Sequence, residues 1–119
     1  MDSSGPEKII EELQMLEHNL QNLLAQKQMF LVELQESANA LKELKETKDE
    51  VYRILSGIML KTDKDTLVKE LEEKKKITEL RITSIERQES VLQDKSIKLR
   101  QKVVGSIGKD GKNENTKKS

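Results

Sequence analysis

The sequence predicts a mainly α protein, a long antiparallel α-helical coiled-coil hairpin with one β-hairpin at its centre. Three observations predict this class. Apolar residues recur with alternating spacings of three and four through two long stretches. Two short apolar runs around a glycine lie between those stretches. Charged residues make up 37% of the 119 residues and aromatic residues only 2%, a composition typical of long helices rather than of a globular core.

The first long helix is predicted over residues 7–50, after a frayed N-terminus at residues 1–6. Two interleaved sets of positions, each seven residues apart, define its seam. They are Leu13, Leu20, Lys27, Leu34, Leu41 and Lys48, and Ile9, Leu16, Leu23, Phe30, Ser37 and Leu44. Nine of these twelve residues are apolar, which is the pattern of a coiled coil. Ile10, Leu24, Leu31 and Ala38 widen the apolar stripe beside the seam.

A β-hairpin is predicted over residues 51–62, as an oligomerisation element. Ser56-Gly57 separates its two runs, and a two-residue turn there pairs Leu55 with Ile58. The same register pairs Ile54 with Met59 and Arg53 with Leu60. A longer loop with a bulge at Gly57 is the alternative.

Both faces of this hairpin are largely apolar. The predicted sheet residues, which we expect in subunit contacts, are Val51, Tyr52, Ile54, Leu55, Ile58, Met59 and Leu60. An isolated two-stranded hairpin is marginal in water, and its two open edges are templates for further strands. Either another segment of the chain covers it or other subunits complete the sheet. Because the flanking segments are long charged helices, the sequence favours other subunits.

The second long helix is predicted over residues 63–104, with cap candidates at Thr62 and Asp63. One register holds Val68, Leu71, Ile82, Ile85, Leu92, Leu99 and Val103, and it is interrupted by Lys75, Thr78, Glu89 and Ser96. The remaining residues, 105–119, are rich in Gly and Lys and have little apolar surface to bury, so a disordered tail is predicted.

The sequence has no recognisable motif for catalysis, a cofactor or a metal, so we expect no catalytic residue, no cofactor and no metal site. The chain has no Cys, and its one histidine, His18, lies off the seam. The 22 basic and 22 acidic residues cancel, so there is no basic stripe for nucleic acid. No apolar run is long enough to span a membrane, and the N-terminus lacks the pattern of a signal peptide. We therefore expect a cytoplasmic protein that is not an enzyme.

The end of the helical pair opposite the hairpin is unusually apolar. The predicted tip residues are Ile9, Ile10, Leu13, Met15, Leu16, Leu99, Val103, Val104 and Ile107. A two-helix seam accounts for some of them, but Ile10, Met15, Val104 and Ile107 are surplus. Two interpretations remain open: ordinary packing of helix ends, or an exposed apolar patch that binds partner proteins, for which adaptable Met side chains are suited.

The sequence resembles the beta-type prefoldin subunits of archaea over roughly residues 20–95. The matching segments are Gln26-Lys27-Gln28 with Glu33, Ala40-Leu41-Lys42-Glu43-Leu44, Val51-Tyr52-Arg53 with Gly57, Leu60-Lys61, Leu67, Glu70-Leu71-Glu72-Glu73-Lys74, and Ile85-Glu86-Arg87-Gln88-Glu89. The order of a helix, one hairpin and a second helix favours the beta type over the alpha type, which has two hairpins. Ser56, before the turn glycine, stands at a position that varies in the family.

This resemblance implies a specific assembly and activity. Prefoldins are hexamers of two alpha-type and four beta-type subunits, in which the hairpins join into β-barrels and six coiled coils project. Their tips hold non-native client proteins without ATP and transfer them to a group II chaperonin. The alternative is a structural coiled-coil spacer or dimerisation module that binds no client. A helical arm that grips RNA is disfavoured by the cancelled charge and by the lack of aromatic residues for stacking.

Overall fold

The computed structural model describes the backbone of residues 5–118 and the side chains of residues 5–105. Helix α1 (Pro6–Glu46), strands β1 (Val51–Leu55) and β2 (Ile58–Thr62), and helix α2 (Lys64–Lys118) follow one another. As predicted, two long helices form a hairpin with a two-stranded antiparallel sheet between them. Contacts divide the chain into two units: the hairpin unit, Gln26–Ile85, and the helix-end unit, Met1–Ala25 with Glu86–Ser119.

Helix α1 begins within the predicted frayed end, of which residues 1–4 lie outside the described part. The carbonyl of Gly5 accepts the first helical hydrogen bond, from the N–H of Ile9 at 3.2 Å. Gly5 therefore occupies the N-cap position, with φ of +80°. Pro6 follows as the first helical residue, a position that suits proline because its missing N–H has no helical partner.

The seam of the hairpin unit follows the predicted heptads on both helices. Its buried or half-buried residues are Lys27, Phe30, Leu34, Ser37, Leu41 and Leu44 on α1, and Val68, Leu71, Lys75, Thr78, Ile82 and Ile85 on α2. The polar interruptions thus lie in the seam and do not shift it. Thr78 is only 2% exposed, and its hydroxyl donates to the carbonyl of Lys74 at 2.8 Å. A small side chain bonded to its own helix fills a seam position without leaving an unpaired polar group.

Charged pairs flank this seam and link α1 to α2. Lys45 Nζ lies 4.0 Å from Glu72 Oε1, and Lys74 Nζ lies 3.5 Å from Glu33 Oε1. Three of these four side chains are more than half exposed and Glu33 is 34% exposed, so each pair contributes at most about 1 kcal/mol. Pairing from both sides of the seam fixes the antiparallel register more than it adds stability.

The helix-end unit continues the same pattern. Its half-buried or buried seam residues are Ile9, Leu13, Leu16, Leu20 and Leu23 on α1, and Glu89, Leu92, Ser96, Leu99 and Val103 on α2. Arg100 Nη2 lies 3.8 Å from Glu17 Oε2 across this seam. Buried side chains are fewer here than in the hairpin unit: among the described residues of this unit, Leu23 and Ser96 are the two buried ones, at 9% and 8% exposure.

The predicted helix boundaries differ most from the observed ones at the two C-terminal ends. Helix α2 runs to Lys118, where the sequence analysis placed the helix end at Val104 and a disordered tail from Gly105. No proline interrupts this segment, and glycine weakens a helix by about 1 kcal/mol per residue without forbidding it. Helix α1 ends at Glu46, four residues before the predicted end at Glu50.

The ends of the two helices meet at the base of the sheet. The side chain of Asp63 caps α2, since its Oδ2 accepts the N–H of Thr66 at 3.1 Å and the hydroxyl of Thr66 at 2.9 Å. Lys64 Nζ donates to the carbonyl of Thr47 at 2.8 Å, immediately after α1 ends. A cation at a helix C-terminus satisfies a free carbonyl and complements the helix dipole. Together these bonds explain why α1 stops short and α2 starts at Lys64.

The hairpin has the predicted two-residue turn. Leu55 pairs with Ile58, Ile54 with Met59 and Arg53 with Leu60, as the sequence predicted. Both turn residues have positive φ, 50° at Ser56 and 79° at Gly57. Positive φ at both positions defines a type I′ turn, whose twist matches that of the strands. The alternative of a longer loop with a bulge at Gly57 is therefore excluded.

Replacing Ser56 by Asn is expected to stabilise the hairpin by about 0.5–1 kcal/mol, since Asn tolerates the left-handed region better than Ser. The strand amides should exchange more slowly with solvent. Gly57→Ala is the matched variant with the opposite expected effect. The added Cβ would meet open space, so the expected loss of about 1–2 kcal/mol of hairpin stability comes from backbone strain alone. Faster exchange in Ser56→Asn would contradict the turn assignment.

Candidate functional site

The sheet presents an apolar surface to solvent. Of the seven predicted sheet residues, Val51 is half-buried and the other six are exposed, with Ile54 70% and Met59 64% accessible. Ile54 and Met59 are cross-strand partners, so their side chains lie on one face. Tyr52 shares that face, while Leu55, Ile58 and Leu60 lie on the other. The structure therefore brings together the sheet residues that the sequence predicted, on two faces whose apolar side chains are mostly exposed within the described part of the chain.

A polar network borders one of these faces. The hydroxyl of Tyr52 donates to Glu50 Oε2 at 2.7 Å, and Lys61 Nζ lies 3.1 Å from Glu50 Oε1. The hydrogen bond from Tyr52, followed by that from Lys61, lowers the pKa of Glu50 below its usual value. The carboxylate in turn raises the pKa of Tyr52. This network was not predicted from the sequence, although the cross-strand pairing of Tyr52 with Lys61 could have indicated it.

Replacing Tyr52 by Phe is expected to raise the pKa of Glu50 toward its ordinary value, because the first of its two hydrogen bonds is lost. A carboxyl carbon titration by NMR measures the shift, and Lys61→Met should cause a smaller rise. Because folding lowers the pKa of Glu50, the network stabilises the folded chain at pH values above the pKa that Glu50 has in the unfolded chain. This stabilisation is lost as the pH falls through the lower pKa of Glu50 in the folded chain. An unchanged pKa in Tyr52→Phe would contradict this assignment.

The predicted tip residues divide into two groups in the helix-end unit. Ile9, Leu13, Leu16, Leu99 and Val103 are half-buried in its seam. Ile10, Met15 and Val104 are exposed, with Met15 and Val104 each 67% accessible. This is the division that the sequence predicted between seam residues and surplus residues. Ile107, the ninth predicted tip residue, lies outside the described side chains.

An open groove runs along the exposed part of this seam. It measures about 470 Å³, and its lining residues are Glu12, Met15, Leu16, Asn19, Lys95, Lys98 and Leu99. Its apolar lining residues are three predicted tip residues, Met15, Leu16 and Leu99. Ile10 lies instead beside Leu13 in a shallower depression of about 290 Å³. The structure thus joins three of the predicted tip residues in one groove and places Ile10 in another.

Polar residues along the rim of this groove were missed in the sequence analysis. Glu12, Asn19 and Lys95 occupy the heptad position next to the seam, and Lys98 lies one turn from Lys95. Their heptad position, next to the seam, is the sequence feature from which they could have been predicted. Acidic and basic groups both occur on the rim, so the groove suits an apolar ligand without a fixed charge.

Three further observations concern metal binding, membrane insertion and the one histidine. Within the residues that the structure describes, no group of three potential ligands among His, Cys, Asp and Glu is placed to hold a metal ion. Over the same residues, neither helix has a stretch apolar enough to cross a membrane. His18 is exposed beside Glu17 in the shallower depression, as predicted for a surface histidine.

These features define a coiled-coil hairpin protein with an uncovered apolar sheet and a groove at its helix ends. The family described as prefoldin subunit matches residues 7–109. Prefoldin subunit beta of Archaeoglobus fulgidus is 33% identical over 99 residues, covering 82% of this chain and 85% of the relative. Its counterpart in Methanospirillum hungatei is 36% identical over 100 residues, covering 82% and 83%. The chain belongs to the prefoldin subunit family.

A solved structure supports the same conclusion. The crystal structure of the prefoldin beta subunit from Thermococcus strain KS-1 superposes with a TM-score of 0.79 at 32% sequence identity. The superposition covers 85% of this chain and 90% of that chain. The predicted resemblance to beta-type prefoldins is confirmed. Membership implies a chaperone-type function in a prefoldin complex, in a family of non-enzymatic proteins that assemble with other prefoldin subunits.

Proposed function

We propose that this chain is a beta-type subunit of an ATP-independent holdase. In the proposed complex, two alpha-type and four beta-type subunits join through their hairpins, whose strands form β-barrels. The coiled-coil tips hold non-native client proteins and transfer them to a group II chaperonin in the cytoplasm. Neither nucleotide nor another cofactor takes part in the capture of clients by this chain.

The exposed apolar side chains of the helix-end unit carry this proposal. The seam between the two helices does not bury Ile10, Met15 or Val104, and all three side chains are exposed to solvent. The groove beside Met15 is lined by apolar side chains together with side chains of both charges. Unfolded proteins expose short apolar segments of varied shape, and a flexible methionine adapts to such surfaces. The feature therefore supports weak and unselective binding of apolar segments.

Several such sites on one assembly make weak binding sufficient. When one tip has bound a client, the other tips meet further segments of that client at high effective concentration. Avidity then rises without any tight single site, and clients can still leave one contact at a time. Release to a chaperonin needs this property, because a tightly bound client could not be transferred without an energy source.

The uncovered sheet supports the assembly part of the proposal. Its six exposed apolar residues are arranged on two faces, and a two-stranded ribbon has two unpaired edges. Strands from neighbouring subunits would bond those edges and bury those faces. Formation of a β-barrel removes the edges altogether.

The proposal is tested by aggregation of a chemically denatured protein on dilution. The chain is mixed with an alpha-type partner, the mass of the complex is measured, and light scattering is followed without nucleotide. We expect suppression of scattering, and release of the client to folding after a group II chaperonin and ATP are added. A complex of the expected mass that leaves scattering unchanged would instead support the structural-spacer alternative.

A further inference from the structure

The hairpin has few attachments to the helices that carry it. Residues 47–50 join α1 to β1, while Asp63 alone joins β2 to α2. Of the strand residues, all of which the structure describes, Val51, Arg53 and Thr62 are half-buried and the others are exposed. Apolar packing therefore holds only the base of the sheet, and the angle between the sheet and α2 needs another constraint.

Arg53 supplies a contact at the middle of β1. Its guanidinium donates to Glu70 Oε2, in the second turn of α2, and the two residues form an ion pair. The guanidinium group is planar, with donors in fixed directions, so its bond to a carboxylate restrains orientation as well as distance. Arg53 lies on the same face as Val51 and Thr62, so the pair holds that face toward α2. The face of Tyr52, Ile54 and Met59 is the opposite one.

Solvent exposure limits what this pair adds to stability. The side chains are 31% exposed at Arg53 and 51% at Glu70, and ion pairs in such surroundings contribute little to the free energy of folding. A contact that adds little stability can still select one orientation, because the alternatives differ only in the angle at a short linker. Loss of the pair is therefore expected to change the angle between the sheet and α2 and to leave the melting temperature nearly unchanged.

We propose that Arg53 and Glu70 are positioning residues that set the angle between the sheet and the first turns of α2. This inference rests on the proposed assembly through the hairpin, where that angle fixes the direction in which each α2 leaves the assembled sheet. Without the pair, the sheet would still form and join its neighbours, but the helices would leave it over a wider range of angles.

Residual dipolar couplings of the backbone amides test the inference in the assembled protein, with only this chain isotopically labelled. Couplings from β1 and β2 are compared with couplings from residues 64–75 of α2. We expect the squared order parameter of the hairpin, relative to α2, to fall from about 0.85 to below about 0.6 in Arg53→Gln and in Glu70→Gln. The charge exchange Arg53→Glu with Glu70→Arg should restore it. An unchanged order parameter in both single variants would overturn the inference.

Glu72→Gln is the matched control, since Glu72 lies two residues along α2 and pairs with Lys45 of α1 instead of with the sheet. It should leave the hairpin order unchanged, and a fall equal to that in Glu70→Gln would overturn the assignment. Failure of the single variants to assemble would also contradict the inference, because the pair would then be needed to join the subunits and not only to set an angle. Failure of the proposed function itself is distinguished by mass measurement, because the unaltered chain would then not assemble through its hairpin.

Discussion

Ile54→Asp is expected to abolish assembly, so that the chain sediments as a monomer or small species. In the isolated chain Ile54 is 70% exposed, and a carboxylate there keeps most of its hydration. In the proposed complex that position lies between strands of different subunits. Moving an unpaired charge out of water costs several kcal/mol, and every copy of the chain would carry that cost.

Two further variants make the result specific. Ile54→Val keeps an apolar, β-branched side chain and should assemble normally. Leu80→Asp places the same charge at a position of similar exposure on α2, outside the sheet, and should also assemble. Analytical ultracentrifugation of all three variants decides the matter. Normal assembly of Ile54→Asp would show that the sheet is not the subunit contact. Loss of assembly in Leu80→Asp would show that the effect of the charge is not specific to the sheet.

Replacing Ile10, Met15 and Val104 together by Ser is expected to remove most of the protection of clients from aggregation while leaving the complex intact. Full burial of one such side chain against an apolar segment contributes about 1.5–3 kcal/mol, and Ser retains little of this. A loss of only 1.4 kcal/mol at one tip weakens that contact about tenfold. Several tips act on one client, so at least about ten times more complex should be needed for equal protection.

The control triple variant replaces Met29, Val32 and Leu80 by Ser. These residues are as exposed as the tip residues but belong to the hairpin unit. It removes a similar apolar area while leaving the groove beside Met15 unchanged, and it should protect clients as well as the unaltered chain. Equal protection by both triple variants would locate client binding elsewhere, and equal loss in both would mean that the total exposed apolar area matters more than its location.

The seam shows how much of the fold could be predicted locally. Heptad spacing correctly predicted each buried position of α1. The predicted register of α2 continues through four polar residues, Lys75, Thr78, Glu89 and Ser96. A polar residue in the pattern weakens the signal but does not move the helix, since each of these four has at least one apolar seam neighbour three or four residues away. The turn was likewise predictable, because two residues with positive φ are what the strand twist requires.

Contacts between residues distant in sequence were not predictable in this way. Nothing in the spacing of Arg53 and Glu70 indicates an ion pair, nor does the sequence around Lys64 indicate a bond to the carbonyl of Thr47. The groove beside Met15 and its rim also needed both helices in place. The end of α1 was predicted wrongly for a related reason. Helix α1 stops at Glu46, where a side chain from α2 bonds to a backbone carbonyl, and helix propensity alone does not include that contact.

The sequence by itself determined the helices, their seam, the hairpin register and the surplus of apolar residues at the sheet and at the helix ends. Each of these depends on local spacing, since periodicity sets which side chains share a face. Only the tertiary structure decided how the sheet is held against α2 and which tip residues share a groove. Those features depend on side chains that meet across two helices, and a spacing rule within one helix carries no information about its partner.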